Sequence, residues 1–507
     1  MLKVGDILNG YPVLPKDKRK NVLLLSDDLR MTSGVGNMSR EFVMGTAHRF
    51  NWIQVGGAIE HPEAGKCIDM NEDLTNRTGI PDVECKIHPV SGYGDQNTVR
   101  TLINHYGIEG LLIYTDPRFW GWLFAMENEI RQNMPIMYYN IWDDLPYPMW
   151  NQKYYDSVDA LFNISKQTCN IVRNVRSSYE DWQVTYIPHG INEDDFYPLP
   201  DLNYEKEKEY SEFKENVLQG KRKDFILFYN ARNIRRKLPG DIVYSFRAFC
   251  DSIPKEDADK CMLLMHTAPV DENGTDLPEL VENLCPNYDV VFSHAKLERE
   301  QLNWLYNMSD CSILISSNEG FGLMGAESLM TGTPLVVNVS GGMQDYCGFK
   351  QKVATEWDSD GITTKEEWKY LTHEDYTPEW GSNHDGRYKD HGEWVFPVYP
   401  ASRSIQGSPT TPYIADDRPA IEDVAEQIKL AWSDRGTILK SKGLSGHQFV
   451  KNPEFGFTAS DMSRRFIHDI EQVNKKFKPA SRISVSNLTE WEPIKPKYNG
   501  LSLTREI

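Results

Sequence analysis

Cys311-Ser-Ile-Leu-Ile-Ser-Ser-Asn-Glu-Gly-Phe-Gly-Leu-Met-Gly-Ala-Glu-Ser-Leu-Met-Thr-Gly-Thr-Pro-Leu-Val-Val337 decides how the chain folds. The apolar run Cys311–Ser316 reads as a buried strand. Glu319-Gly-Phe-Gly322 follows as a loop. A helix is predicted from Leu323 to Gly332, whose position suits a C-cap, and Pro334 opens the next strand. Glycines just ahead of a helix let an anionic ligand approach the free N–H groups of its first turn. Glu319 lies in that loop and Glu327 one to two turns into the helix. Carboxylates there can accept hydrogen bonds from sugar or ribose hydroxyls. They repel phosphate, which needs cations from elsewhere.

Working outward, short apolar runs alternate with amphipathic helical segments in both halves, the pattern of βαβ units around parallel sheets. The predicted strands are Asn21–Ser26, Trp52–Val55, Gly110–Tyr114, Ile136–Asn140, Ala160–Ile164 and Val184–Ile187, then Phe225–Tyr229, Met262–His266, Val290–Ser293, Cys311–Ser316 and Leu335–Val339. This is an α/β chain of two doubly wound, Rossmann-like domains facing a cleft, lined by loops at the carboxyl ends of the strands. The expected units are a first domain over 1–198, a charged linker over 199–223 and a second domain over 224–445. Residues 446–507 form a C-terminal helix returning toward the first domain, and a tail. Residues 350–416 read as an irregular insertion carrying Trp357, Trp368, Trp380 and Trp394. So long an irregular stretch is more often functional than idle.

The 507 residues suffice for two cores, and 40% are hydrophobic. The net charge of -19 disfavours indiscriminate nucleic-acid binding but leaves room for a local basic groove. Eight cysteines without a C-x-x-C pair read as reduced thiols. No secretory h-region and no bilayer-length apolar run is present, so a soluble, cytoplasmic protein without a membrane partner is expected.

Glu319, seven residues, then Glu327, with Gly-Phe-Gly between and Gly332-Thr-Pro334 after, resemble the signature of retaining family 4 glycosyltransferases of the GT-B fold. The resemblance implies that Glu319 contacts the donor sugar and Glu327 the nucleotide ribose. Gly320, Phe321, Gly322 and Leu323 would form the donor-binding loop. Upstream, Asn230-Ala-Arg232 and Lys237 resemble the element that holds the donor diphosphate, with Ala231 where glycine is usual. Such cations meet the charge that develops on the leaving group. Gly34 and Gly36 resemble the glycine-rich loop of the first domain. Asp144, in Tyr138-Tyr-Asn-Ile-Trp-Asp-Asp-Leu-Pro146, is the expected catalytic carboxylate there, although a helix N-cap explains an aspartate equally well. His189 in Ile187-Pro-His-Gly-Ile191 is a donor-site neighbour or a structural residue. Gly341 and Gly342, after a strand, could approach the nucleotide. No metal-ligand spacing is present, and the family generally works without a metal.

The implied reaction moves a sugar from a nucleotide-diphosphate sugar, with a UDP-sugar the expected donor and no cofactor, to an acceptor hydroxyl. The chain is also similar in general look to glycosyltransferases of large tailed phages, some of which modify hydroxymethylated pyrimidines in DNA. In that case it would work in the host cytoplasm. A saccharide or other small-molecule acceptor, a GT-B sugar-nucleotide epimerase and a non-catalytic carbohydrate-binding scaffold are the alternative readings. Basic clusters at Asp17–Lys20, Lys221–Lys223 and Arg464–Arg482, with the four tryptophans, are the features a DNA acceptor would use.

Overall fold

The computed structural model describes residues 1–480 apart from 201, 358, 359, 361 and 362; the side chains of 357 and 364 are also outside the description. The tail expected at the C-terminus and the end of the Arg464–Arg482 cluster therefore lie outside the described residues.

The first domain holds β1 (Lys20–Asp27), β2 (Phe50–Gly57), β3 (Ile68–Asp69), β4 (Cys85–Pro89), β5 (Gly110–Tyr114), β6 (Ile136–Asn140), β7 (Ala160–Asn163) and β8 (Val184–Tyr186). Their order is β8-β7-β6-β5-β1-β2-β4-β3, with only β3 antiparallel. Leu23, Leu24 and Leu25 of β1 are all buried, as a strand covered on both faces requires. The second domain holds β9 (Phe225–Asn230), β10 (Cys261–His266), β11 (Asp289–Ser293), β12 (Cys311–Leu314) and β13 (Leu335–Asn338). It adds the hairpin of β14 (Lys350–Trp357) with β15 (Thr363–Tyr370), then β16 (Val395–Val398), then the hairpin of β17 (Ser402–Ser408) with β18 (Thr411–Arg418). Its sheet runs β11-β10-β9-β12-β13-β16, all parallel.

The expected α/β class with two parallel sheets is the observed one. Three strands of the two main sheets were not predicted, the two-residue β3 at the edge of the first sheet among them. In β4, Cys85-Lys-Ile-His-Pro89 alternates buried and half-buried positions, so no apolar run marks it. β16 contains Pro397, which argues against a central strand but is tolerated at the edge position it holds. It lies inside the stretch read as irregular, which holds two hairpins and this sheet strand and is irregular over 371–394.

Nine helices matter below: α1 (Gly34–Thr46), α2 (Lys166–Val175), α3 (Tyr204–Leu218), α4 (Pro239–Asp251), α5 (Arg299–Asn307), α6 (Leu323–Met330), α7 (Ile421–Asp434), α8 (Leu439–Lys451) and α9 (Ala459–Lys476). α3 occupies most of the expected linker. α4 and α7 cover one face of the second sheet, in a core with Phe246, Phe249 and Ile428. α9 packs on the first domain, with Phe466 4.7 Å from Phe42 and Arg49 bonded to Glu471. The chain crosses back between domains where Ile191 N–H donates to Phe457 O and Ala459 N–H to Ile191 O. No helix among the described residues is long and apolar enough to cross a membrane.

Candidate active site

Strand order reverses between β1 and β5 in the first sheet and between β9 and β12 in the second. Loops at those two switch points line one cleft of about 1120 Å³. Crevices at switch points are where open α/β sheets bind ligands.

Glu319 follows β12 and is 5% exposed. Its loop runs against the first domain: a Cβ on Gly320 would stand 2.7 Å from Ile164 Cδ1 and 2.9 Å from Ile141 O. Gly322 has φ +80° and starts α6, a left-handed conformation that favours glycine. Gly341 and Gly342 are not part of the cleft wall. They pack against the backbone of residues 319–320, and Gly342 N–H donates to Glu319 O at 2.8 Å. A side chain at either position would displace the loop.

Lys237 and Arg236 come from the 3-10 turn Arg235–Lys237 after β9, which ends on Leu238 at φ +52°. Lys237 Nζ is bonded to Glu319 Oε1, and Arg236 Nη1 lies 3.1 Å from Glu319 Oε2 and 2.8 Å from Asn318 O. Burial opposes ionisation of Glu319, but the two cations outweigh it and hold its carboxyl down to about 2. Arg232 stands at the rim of the cleft, 64% exposed, with Nε 3.0 Å from Asp271 Oδ2. Of the two arginines, the sequence pointed to Arg232. Nothing in the run Arg232-Asn-Ile-Arg-Arg-Lys237 marks Arg236 as the one that reaches Glu319.

Glu327 lines the cleft from α6, and its Oε2 accepts from Tyr306 Oη at 2.6 Å. Tyr306, on α5, in turn accepts from Asn230 Nδ2 at 3.1 Å. No motif announced this tyrosine. Phe321 and Leu323 also face the cleft, and Leu323 meets Gly34 across it, 3.7 Å from a Cβ built there. Gly36 leaves no room for a side chain, whose Cβ would come within 2.9 Å of Asp28 O and Met31 O. Its N–H is capped by Ser33 Oγ at 3.0 Å.

Asp143 and Asp144 follow β6 and line the same cleft. Burial and the nearby Glu319 push Asp143 up to about 6 against the pull of Arg236. Burial, then the Asp143 charge, also raises Asp144, whose Oδ1 is buried without a partner among the described residues. Neither aspartate caps a helix. His189 is 6% exposed and held between Tyr139 Oη at 2.7 Å and Tyr114 Oη at 3.3 Å. Burial lowers it to about 3, so it is neutral.

The hairpin β17–β18 supplies a wall that sequence reading missed. Gln406, Thr411 and Asp416 line the cleft. Asp416 accepts from Ser317 Oγ and from Gln406 Nε2, each at 2.8 Å. The hairpin also binds the first domain, through Ala415 N–H to Leu145 O at 2.7 Å and Tyr413 Oη to Tyr147 O at 3.0 Å.

The features set aside for a nucleic acid are largely engaged elsewhere. Arg19 is buried and donates to three carbonyls, and Lys221 and Lys223 pair with Asp289. Trp380 and Trp394 belong to the core at 5% and 6% exposure, and Trp368 alone of the described tryptophan rings in that stretch is exposed.

Residues 207–375 match the model of the family 4 glycosyltransferases in conflict systems. No curated protein sequence matches the chain. Among solved structures, a glycosyltransferase from Rickettsia africae is 14% identical with a TM-score of 0.57, over 90% of this chain and 99% of that one. Sucrose-phosphate synthase from Thermosynechococcus elongatus is 15% identical with a TM-score of 0.59 over the same shares. Anabaena HepE, solved with UDP and glucose, is 10% identical with a TM-score of 0.56, over 90% of this chain and 100% of that one. At such identities the likeness establishes the fold, and the family model adds a match confined to residues 207–375. The chain has the GT-B fold of these glycosyltransferases, and its residues 207–375 carry the family 4 glycosyltransferase signature of the conflict-system type.

Proposed function

We propose that the cleft binds a UDP-sugar and transfers the sugar, with retention of anomeric configuration, to an acceptor hydroxyl. The observation that carries this reading is the cluster of Glu319 with Lys237 and Arg236 at the second switch point. Lys237 and Arg236 take the diphosphate, whose charge grows as the bond to the anomeric carbon breaks. Glu319 then accepts hydrogen bonds from the sugar, and Glu327, oriented by Tyr306, takes the ribose hydroxyls. Asp143 and Asp144 face the sugar from the first domain. The acceptor oxygen attacks on the face the phosphate leaves, and its proton passes to the departing phosphate oxygen. Supporting the choice of nucleotide, HepE was solved with UDP and glucose and a trehalose-6-phosphate protein of E. coli with UDP-2-fluoro glucose.

For the acceptor we favour a neutral saccharide or similar polyol. Asp143 and Asp416 line the cleft, carboxylates that disfavour a polyanion there. Labelled UDP-glucose with a panel of saccharides, and with duplex DNA containing hydroxymethylcytosine, tests both points. Transfer to a saccharide supports the proposal. Transfer to DNA alone, falling steeply with salt, would move the acceptor to a modified base. An altered sugar still attached to its nucleotide would indicate an epimerase, and no turnover of any donor a scaffold.

A further inference from the structure

A second cavity of about 660 Å³ lies between α2, β8, the end of β15 and α9, and shares no lining residue with the cleft. Three half-buried cations face it: Lys166, Arg173 and Arg465. None of them forms an ion pair among the described residues. Arg173 Nη1 donates to His373 O at 3.0 Å and Arg465 Nη2 to Phe455 O at 3.1 Å, both backbone carbonyls. The Lys166 ammonium makes no hydrogen bond among the described residues, and burial lowers its pKa. Cations held partly out of water without a direct ion pair are costly, and an anion entering the cavity would offset that cost.

The rest of the wall suits the other parts of a small molecule. Asp345 is 1% exposed, and its Oδ2 accepts from Lys166 N–H at 3.0 Å and Tyr186 Oη at 2.9 Å. Its Oδ1 is buried without a partner among the described residues, an acceptor available to a hydroxyl. Tyr186 and His373 stack with centroids 5.7 Å apart, and Arg465 lies over the Tyr186 ring. Asp181, Glu374 and Glu454 stand at the exposed rim, and Asp469 joins Asp345 as a buried carboxylate beside the three cations. The volume falls in the range of roughly 300–1,000 Å³ usual for small-molecule sites.

We propose that this cavity is a second ligand site, for a small phosphomonoester carrying hydroxyl groups, with its phosphate against Lys166, Arg173 and Arg465 and a hydroxyl donating to Asp345. A sugar phosphate and a nucleoside monophosphate share that chemistry. Titration calorimetry of the full chain with glucose 6-phosphate, adenosine monophosphate and inorganic phosphate separates them. One of the two esters should bind at one per chain, more tightly than inorganic phosphate. Lys166→Met and Arg173→Met should each weaken it at least about tenfold, the loss of one charge-assisted hydrogen bond. Arg236→Met, in the cleft, should leave it within about twofold, on the same scale. Melting curves confirm that each variant is folded; should Lys166→Met fail to fold, Arg173→Met carries the test. Two results would overturn the site: neither ester binding better than phosphate, or binding that only the cleft variant weakens.

Discussion

Lys237 Nζ and a carboxylate oxygen of Glu319 form a salt bridge across the switch point of the second sheet, one residue following β9 and the other β12. Arg236 holds the second oxygen at 3.1 Å. A diphosphate bound here would draw both cations toward itself and release Glu319 to the hydroxyls of the sugar. The same three side chains would thus serve the free and the donor-bound protein.

Arg236→Ala should lower turnover by about 10²–10³-fold, the scale for losing one preorganised group at a developing anion. Arg232→Ala should cost about tenfold or less on that scale, because its guanidinium is at the rim and paired with Asp271. Lys237→Ala should match Arg236→Ala in turnover and also destabilise the fold, since it removes one of the two cations paired with a buried carboxylate. Steady-state rates and urea unfolding of the three variants check this.

Glu327→Gln should weaken binding of free UDP by about 1.5–3 kcal/mol, the range for a charged hydrogen bond. Tyr306→Phe, which removes the donor at 2.6 Å from Glu327, should cost about 1 kcal/mol of the same affinity. Glu319→Gln should leave UDP affinity nearly unchanged and lower turnover. Calorimetry with the bare nucleotide distinguishes the three.

The sequence made much of this legible. Leu23–Leu25, Phe225–Tyr229 and Cys311–Leu314 stand out because strands covered on both faces must be apolar throughout. Cys85–Pro89, half-exposed and alternating, had no such mark. Glu319, Glu327 and Lys237 meet in one cleft, and their spacing was visible. Arg236 was hidden among basic neighbours, since the choice among them depends on the turn at Leu238. Asp416 and Tyr306 were invisible, because contacts from a distant hairpin and a neighbouring helix leave no local pattern. Trp380 and Trp394 misled: composition cannot tell a ring offered to a ligand from one packed in the core.

Acid should unfold the protein early. Burial lowers His48 to about 4 and His189 to about 3, from an unfolded value of 6.5. Both are held neutral in the fold, so their stability is fully present above pH 6.5 and is lost as pH falls toward those values. Each should remove about 1.4 kcal/mol per pH unit within its window. Urea midpoints between pH 7 and 4 should fall accordingly, and His189→Gln should flatten the slope. An unchanged slope in that variant would mean His189 is not held neutral.

Asp143 lies near Glu319 and is pushed up to about 6 by burial and then by that charge. Its ionised form is the one that accepts hydrogen bonds, so turnover should rise with pH through about 6. Asp143→Asn should abolish that limb while leaving UDP affinity intact. A limb that survives the substitution would assign it to another group.

The most direct measurement is proton NMR of sugar nucleotides incubated with the protein and no acceptor. UDP-glucose should be consumed slowly, giving UDP and glucose that first appears as the α-anomer. Glu319→Gln should slow this by at least about 10²-fold. The cleft would not be a donor site if UDP-, GDP- and ADP-sugars all stayed intact, or if the Glu319 variant consumed them at the native rate.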